Sequence, residues 1–210
     1  MSTEGLRAHA DGALRCWWCG DDPGYVAYHD EEWGRPVADD VRLYEKLCLE
    51  GFQSGLSWLT ILRKREAFRR AFAGFDPAKV ARFGARDVER LLGDASIVRH
   101  RGKIEAAIHN AGRVLELVEE HGSLSAFVWR FEPPASERPR ELSFAALSKM
   151  GQTPASARLS KALRARGFRF VGPTTAYAFM QAMGLVDDHL GGCSVRPEVE
   201  AARAAFARPR

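Results

Sequence analysis

Apolar residues along this chain recur mainly at intervals of three and four positions. Val41, Tyr44 and Leu47 follow this spacing in one segment, and Leu159 and Leu163 follow it in another. Strict alternation of apolar and polar residues, the pattern of a half-buried strand, is almost absent. Because positions three and four apart lie on one face of an α-helix, the pattern predicts an all-α fold of short helices joined by tight turns.

Residues typical of helix ends agree with this prediction. The dipeptides Asp76-Pro77 and Thr153-Pro154 each match an N-cap residue followed by proline at the first helical position. Gly167 follows a basic segment, as a glycine that ends a helix commonly does. We therefore expect helices to begin near residues 77 and 154 and one helix to end near residue 167.

The length and composition of the chain suit one compact unit. Of its 210 residues, 46% are hydrophobic, which is enough for one core or for two small lobes wrapped by the same chain. We expect residues 15–197 to form a single helical unit of two packed lobes, with FEPPASERP as the clearest loop. Residues 1–14 and 198–210 are expected to be a flexible N-terminal extension and a flexible C-terminal tail.

No stretch of the sequence approaches the roughly 20 apolar residues that span a membrane. The N-terminus also lacks the apolar core of a secretory signal, so we expect a cytoplasmic protein with no membrane partner. The formal net charge is +4, and basic residues concentrate in ILRKREAFRR, IVRHRGK and SKALRARGFRF. Such clusters suit phosphate contacts, although each one taken alone is more typical of a solvated helix face.

The segment GFRFVGPTTAYAFMQAMG, residues 167–184, predicts two helices joined by a hairpin. Gly172 permits a tight turn, and Pro173 begins the second helix. The unpaired backbone N–H groups at a helix N-terminus can hold a phosphate without any side chain. This hairpin is therefore a candidate contact with nucleic acid, although V-G-P also begins helices in proteins that never bind DNA.

The cysteines and histidines raise the question of a metal. Four cysteines are too few for a disulfide scaffold in a chain of this length. His189 and Cys193 stand four residues apart in VDDHLGGC, and on a helix they would share a face. Cys16 and His29 could complete a closed tetrahedral zinc site with a structural role. Against this interpretation, H-x3-C is common without metal, and Cys19 competes with Cys16 as a ligand.

Seven longer segments appear in order along the chain: RCWW, DPGYVAYHDEEWG, LEGFQSGLSWLTILRKRE, FDPAKVA, IVRHRGKIEAAIHNA, LSKALRARGFRFVG and MQAMGLVDDHLGGC. Together they resemble the DNA-3-methyladenine glycosylase I family of helix-hairpin-helix repair enzymes, over most of residues 15–193. The resemblance implies an enzyme that flips 3-methyladenine out of alkylated double-stranded DNA, hydrolyses its N-glycosidic bond and releases the free base. We expect a monomer. Because no lysine lies in the hairpin to form a Schiff base, we expect no strand cleavage.

The resemblance also implies roles for individual residues. It implies structural zinc on Cys16, His29, His189 and Cys193, and a base pocket lined by Tyr25, Tyr28, Trp58, Trp18 and Trp33. Tyr28 and Trp58 would sandwich the cationic methylated base by stacking and cation–π attraction. Glu50 is implied as the catalytic residue, whose carboxylate favours a cationic base over a neutral one. Its role in base recognition or in stabilising the sugar cation stays open, and Asp187 or Asp188 is the alternative carboxylate.

A glycosylase of this type must also fill the gap that the flipped nucleotide leaves. Gln53 and Leu56, within GFQSGLSW, are the candidates to enter the duplex. Gly172, Thr174 and Thr175 are the candidates for contact with the DNA backbone at the hairpin.

Two other classes of function stay open on the sequence. A DNA-binding module without catalysis would hold damaged DNA through the hairpin and the basic helices but release no base. A zinc-dependent hydrolase would need an open position on the metal, which a site with four protein ligands does not leave. Without the resemblance, the aromatic residues of the pocket would be ordinary core residues, and Glu50 would be a carboxylate at a helix end.

Overall fold

The computed structural model describes residues 3–209 and is mostly helical. Two short strands, β1 Leu6–Ala8 and β2 Leu14–Cys16, pair as an antiparallel hairpin. The α-helices within the described residues are α1 Pro23–Glu31, α2 Asp40–Gln53, α3 Trp58–Ala71, α4 Pro77–Val80, α5 Ala85–Gly93, α6 Arg101–His121, α7 Leu124–Trp129, α8 Phe144–Leu147, α9 Pro154–Ala165, α10 Pro173–Ala182 and α11 Arg196–Ala205. Single turns of 3-10 helix lie at Trp17–Cys19, Ala73–Phe75 and Ala135–Glu137.

Helix α2 is the centre of the larger core. Every residue from Leu43 to Phe52 is buried, and α3, α6, α7 and α10 pack around this helix. The hydroxyl of Tyr44 donates a hydrogen bond to the carbonyl of Ala107 in α6 at 2.8 Å. Because polar groups are costly to bury without partners, the charged side chains of α2 must be paired inside the protein. Their partners build the functional site described below.

The predicted helix ends are largely confirmed. Asp76 caps α4 and Thr153 caps α9, because each side chain accepts hydrogen bonds from backbone N–H groups of the first helical turn. A proline follows each cap. Gly167 lies two residues beyond the end of α9 with a φ angle of 83°, which a glycine adopts without strain. The loop FEPPASERP is irregular apart from the turn Ala135–Glu137.

Helices α9 and α10 pack against each other across a turn at residues 166–172. Asn110 of α6 holds this turn, because its side chain accepts from the N–H of Arg169 and donates to the carbonyl of Arg169, both at 2.9 Å. The hydroxyl of Ser160 donates to the carbonyl of Val171 at 2.7 Å. The prediction of two helices within residues 167–184 is wrong, because this segment holds only the turn and α10, and the first helix of the pair is α9.

The segments 1–14 and 198–210, which the sequence predicts to be flexible, contain β1, the start of β2 and most of α11. Strand β2 is tied to the C-terminal part of the chain, since Ser194 exchanges two hydrogen bonds with the backbone of Leu14, at 2.8 and 2.9 Å. Helix α11 buries Val199 completely. Residues 1, 2 and 210 lie outside the described residues, so the expectation is not tested there.

The N-terminal hairpin also corrects the all-α prediction. Asp11 and Gly12 lie in its turn, where Gly12 has a φ angle of 80°. Asp-Gly is a common signal for a tight hairpin turn, but strands of three residues are too short to show an alternating pattern. The fold is therefore mostly helical with one small β-hairpin. No described helix combines the length and apolarity needed to cross a lipid bilayer.

A second, smaller core joins the two ends of the chain. Its buried residues come from β2, from α8 and from the segment after α10, and they are Cys16, Leu147, Leu190, Cys193, Val195 and Val199. Two of the predicted metal ligands are therefore part of a packed core. This core places the N-terminal hairpin beside the residues that follow α10.

Candidate active site

A cavity of about 280 Å³ lies between residues 17–58 and residues 147–188. Its lining residues are Trp17, Trp18, Tyr25, Tyr28, Trp33, Glu50, Gln53, Trp58, Leu147, Ser148, Met150, Ala178, Gln181 and Asp188. All six residues that the resemblance places at the base pocket line this cavity. We call it the base cavity.

Aromatic rings form much of the wall of the base cavity. Helix α1 begins after the cap Asp22, whose carboxylate accepts from the N–H of Tyr25 at 3.1 Å, and it places Tyr25 and Tyr28 one turn apart. Trp58, the first residue of α3, packs against Tyr28 with ring centroids 5.3 Å apart. Burial raises the pKa of Tyr25 to about 12, so its hydroxyl stays protonated near neutral pH.

The ring distances correct one expectation. Rings in direct contact have centroids about 4.5–7 Å apart, so Tyr28 and Trp58 leave no space for a base between them. They form one continuous aromatic wall and do not sandwich a base. The indole Nε1 of Trp58 is buried and has no hydrogen-bond partner among the described residues. A bound molecule with an acceptor atom would satisfy that donor.

Glu50 is buried, and its partner is a lysine that the sequence analysis did not single out. Nζ of Lys46 lies 2.6 Å from Oε1 of Glu50, and the two side chains are 6% and 5% exposed. The same ammonium donates to the hydroxyl of Tyr28 at 2.9 Å and lies 3.1 Å from the ring centroid of Trp58. Burial lowers the pKa of Lys46 to about 8, although the Glu50 carboxylate opposes this shift.

Asp188 contributes a second carboxylate to the cavity wall. It accepts hydrogen bonds from the hydroxyl of Tyr177 and from Nε2 of Gln181, the latter at 2.8 Å, and it pairs with Arg138. Arg138 belongs to the loop that precedes α8. Asp188 therefore links this loop to α10 at the edge of the base cavity.

A second cavity of about 180 Å³ adjoins the base cavity. It is lined by Glu50, Gln53, Ser54, Gly55, Leu56, Thr174, Thr175 and Ala178, of which Glu50, Gln53 and Ala178 line both cavities. The structure thus brings the two predicted DNA-intercalating residues next to two of the three predicted backbone contacts. The third, Gly172, is the N-cap of α10. We call this second cavity the entrance groove.

A buried lysine supports the turn that carries Gln53 and Leu56. Nζ of Lys103 in α6 donates to the carbonyl of Phe52 at 2.9 Å and also to the carbonyl of Ser54. The last carbonyls of a helix have no partner within the helix, so a cation there stabilises the helix end. Leu56 is 44% exposed at the tip of this turn.

The predicted metal ligands lie at the junction of the two chain ends. The ligand atoms of Cys16, His29 and Cys193 all lie within 4.8 Å of one another, and all three residues are buried. His189 packs beside them, with its ring centroid 4.8 Å from that of His29, but its nitrogens lie outside this group. His189 and Cys193 stand in a non-helical segment, so they do not share a helix face.

The electrostatics of this cluster suit metal binding. A hydrogen bond with Cys16, with a weaker contribution from His29, lowers the pKa of Cys193 to about 4 even though burial opposes the shift. The pKa of Cys16 is raised, first by that same hydrogen bond and then by burial. One thiolate is therefore favoured within the pair, and thiolate is the form of cysteine that binds metal.

Each histidine of the cluster has a carboxylate on its Nδ1 atom. Asp30 lies 2.7 Å from Nδ1 of His29, and Asp187 lies 2.8 Å from Nδ1 of His189. This arrangement directs Nε2 of each ring away from the carboxylate, as in many metal sites of proteins. Asp187 thus supports His189, whereas Asp188 does not.

Cys19 does not compete for this position. Its thiol donates to the carbonyl of Cys16 at 3.2 Å, and it is not part of the group formed by Cys16, His29 and Cys193. Burial raises the pKa of Cys19 to about 11, which favours the neutral thiol. Cys16 is therefore the cysteine of the N-terminal segment that faces the cluster.

The basic segment ILRKREAFRR forms ion pairs within the protein. Three of its arginines pair with carboxylates of the protein: Arg63 with Asp22, Arg65 with Glu32 and Arg69 with Glu45. These pairs fasten α3 to α1 and α2. In contrast, the guanidinium groups of Arg99 and Arg169 have no ion pair or hydrogen bond within residues 3–209.

Comparison with known proteins shows which family this chain matches. The sequence pattern of the methyladenine glycosylase family matches residues 18–197. The chain is 50% identical over 184 residues to DNA-3-methyladenine glycosylase 1 of Escherichia coli K12, covering 87% of this chain and 97% of that protein.

Solved structures agree with this match. The fold is similar to a crystal structure of 3-methyladenine DNA glycosylase I, with a TM-score of 0.78, 51% identity, and coverage of 86% of this chain and 98% of the other. It is also similar to the enzyme from Staphylococcus aureus, whose structure addresses 3-methyladenine recognition, with a TM-score of 0.77 and 40% identity. That match covers 84% of this chain and 93% of the other.

Proposed function

The chain belongs to the methyladenine glycosylase family, and from this premise we propose that its base cavity removes 3-methyladenine from alkylated double-stranded DNA. The reaction is hydrolysis of the N-glycosidic bond, the first step of base-excision repair. One observation carries this assignment: a cavity of about 280 Å³ holds a buried glutamate among aromatic rings. A cavity of this kind suits one flipped base.

The aromatic wall supports recognition of the base. The cavity is lined by the rings of Tyr25, Tyr28, Trp18, Trp33 and Trp58. A planar base that stacks on an aromatic face gains about 1–3 kcal/mol. N3-methylation makes the base cationic while it is attached to the sugar, so these faces also attract it by cation–π interaction. Trp58 offers its unpaired Nε1 as a hydrogen-bond donor.

Glu50 is the catalytic residue in this proposal. When the N-glycosidic bond breaks, both electrons pass to the base, the positive charge moves to the sugar carbon, and water adds there and loses a proton. Glu50 lines both the base cavity and the entrance groove, so its carboxylate lies between the base and the position of the sugar. This placement supports electrostatic stabilisation of the sugar cation as well as recognition of the base.

The entrance groove supports the DNA contacts. Leu56 and Gln53 stand on one side of it and would enter the duplex in place of the flipped nucleotide. Thr174 and Thr175 stand on the other side, at the start of α10, where Gly172 and the first N–H groups would bind phosphate. Helix α9, the turn and α10 would then act as the helix-hairpin-helix element that the sequence resembles.

Lys46 bears on whether the enzyme also cleaves the strand. A buried lysine with a lowered pKa is the kind of residue that forms a Schiff base with a sugar aldehyde. Lys46, however, does not line either cavity, and its ammonium is bonded to Glu50 and Tyr28. This supports a monofunctional glycosylase, for which borohydride treatment during turnover is expected to trap no protein–DNA adduct.

Zinc on Cys16, His29, Cys193 and His189 is the metal site of this proposal. Two thiols and two imidazoles form a donor set that zinc prefers, and three of the four donors already lie together in a buried cluster. His189, whose ring contacts that of His29, would supply the fourth donor. None of the four residues lines the base cavity, so zinc would stabilise the fold and would not contact the base.

The test is the release of free base from DNA. Duplex DNA alkylated by a methylating agent is incubated with the purified protein, and the soluble fraction is analysed for free 3-methyladenine by chromatography. We expect 3-methyladenine in that fraction and intact strands until alkali is added. Tight binding to the alkylated duplex without any released base would instead support the DNA-binding module without catalysis.

A further inference from the structure

Lys46 is a charged residue at a position that the core would fill more easily with an apolar one. It is 5% exposed and lies in the fully buried stretch of α2 between Leu43 and Phe52. A buried ion pair usually stabilises a fold less than well-packed apolar side chains of the same volume would. A role in the base cavity therefore accounts for this lysine better than stability does.

The ammonium of Lys46 contacts three residues that line the base cavity. It bonds to Glu50 and Tyr28, and it lies over the ring of Trp58. Its three N–H groups therefore face one carboxylate, one hydroxyl and one aromatic ring. In the proposed function, the same three residues, Glu50, Tyr28 and Trp58, bind the cationic base.

We propose that Lys46 is a positioning residue that offsets the negative charge of Glu50 and thereby limits the preference of the base cavity for a cationic base over a neutral one. This inference rests on the proposed function. Without Lys46, the ionised Glu50 would favour any cation that enters the cavity. With Lys46, the pair carries no net charge, and the cavity also accommodates the neutral base that the reaction releases.

The surrounding charges allow pH to test this inference. Glu32 and Arg65, which pair with each other on the neighbouring helices α1 and α3, are the other charged groups that act on Lys46. The pKa of Glu32 lies below its usual value, and burial holds the pKa of Tyr28 well above its usual value. Because burial lowers the pKa of Lys46 to about 8, Lys46 changes charge between pH 7 and pH 9.5.

The experiment compares two ligands by calorimetry. One is 3,9-dimethyladeninium, a permanent cation in which a methyl group replaces the sugar, and the other is free 3-methyladenine, which is neutral in this pH range. The ratio of their affinities is measured at pH 7 and pH 9.5 for the wild type and for Lys46→Met. Lys79→Met is the matched control, since Lys79 is exposed and pairs with Asp76 in α4, outside both cavities.

At pH 7 we expect the ratio of the affinity for the cation to the affinity for the neutral base to be at least about tenfold higher in Lys46→Met than in the wild type. The repulsion that the ammonium of Lys46 exerts on a cation about 6 Å away, at an effective dielectric constant of about 20, corresponds to more than tenfold in affinity. The wild-type ratio should rise towards that of the variant at pH 9.5, where Lys46 has lost its proton. Lys79→Met should match the wild type at both pH values.

Three results would overturn the inference. The first is an affinity ratio of the wild type that does not change between pH 7 and pH 9.5, which would overturn the inference even if Lys46→Met failed to fold. The second is an affinity ratio at pH 7 that is the same in the wild type and in a folded Lys46→Met variant. Both results leave the proposed function intact, whereas binding of neither ligand by the wild type would overturn the base cavity and this inference together.

Discussion

Asp187 and Asp188 are adjacent in the sequence, but their carboxylates face different sites. Asp187 lies 2.8 Å from Nδ1 of His189, beside the cysteine and histidine cluster. Asp188 lines the base cavity and accepts a hydrogen bond from Gln181 of α10 at 2.8 Å. The two carboxylates therefore connect the junction of the chain ends to the wall of the cavity through a single peptide unit.

This relationship predicts that the same substitution has different effects at the two positions. Asp187→Asn removes the charged partner of His189, so we expect zinc affinity to fall by about 10–100-fold. Asp188→Asn should leave zinc affinity unchanged and slow base release, because the pairing with Arg138 at the cavity wall is weakened. Competition with a chromophoric chelator measures the first effect and single-turnover base release the second. Equal loss of zinc affinity in both variants would contradict the conclusion that Asp187 supports the zinc site and Asp188 does not.

Leu56→Ala tests the entrance groove. The side chain is 44% exposed, so its removal should change the free energy of unfolding by less than about 0.5 kcal/mol. We expect slower release of 3-methyladenine from duplex DNA and unchanged affinity for the free base, since Leu56 lines the groove and not the base cavity. Leu115→Ala, at a residue that is 40% exposed in α6, is the matched control and should release base at the wild-type rate. An unaffected rate in Leu56→Ala would remove this residue from the DNA contact.

Lys103→Met tests the support of the same turn. Without the ammonium, the carbonyls of Phe52 and Ser54 lose a buried donor, so the turn that carries Gln53 and Leu56 should become less ordered. Base release from duplex DNA should fall by about tenfold or less, while binding of free 3-methyladenine is retained. Lys64→Met is the matched control, because Lys64 also donates to two backbone carbonyls, those of Ala95 and Ser96. Equal effects of the two substitutions would contradict a specific role for Lys103.

Glu32 is expected to contribute to the pH dependence of stability. Its pKa is lowered, because the hydrogen bonds and charge of Arg65 outweigh the opposing effect of burial. A lowered folded-state pKa means that this stabilisation is present above the unfolded-state value near 4.5 and is lost as the pH falls through the folded-state value. Glu32→Gln should lower the free energy of unfolding by about 1 kcal/mol at pH 7, and by less at pH 4. Thermal unfolding of both proteins at the two pH values measures this, and a constant difference would contradict it.

The sequence predicted the helical fold and the residues of the site better than it predicted their partners. Val41, Tyr44 and Leu47 identified α2, because helical spacing is a local property. Glu50 and the aromatic residues came from the resemblance, and all of them line one cavity. The spacing of Lys46 and Glu50, four residues apart on a helix, was visible, but a lysine in a stretch that also contains Glu45 does not reveal that both side chains point inwards.

Contacts between distant parts of the chain could not be predicted in the same way. Cys16 and Cys193 meet because β2 and the segment after α10 share a small core, which no local pattern encodes. The pairing of Ser194 with Leu14 orders both ends for the same reason. The basic residues of α3 seemed suited to phosphate, but their acidic partners lie on α1 and α2 and become neighbours only in the folded protein.

The most direct test of the proposed function is the single-turnover rate of 3-methyladenine release by the wild type, Glu50→Gln and Glu45→Gln. Glu45 is the matched control, because it is a buried glutamate of the same helix that pairs with Arg69 outside the base cavity. We predict that Glu50→Gln folds and releases base about 10²–10³-fold more slowly than the wild type, while Glu45→Gln stays close to the wild-type rate. Release by Glu50→Gln at the wild-type rate would contradict the assignment of Glu50 as the catalytic residue.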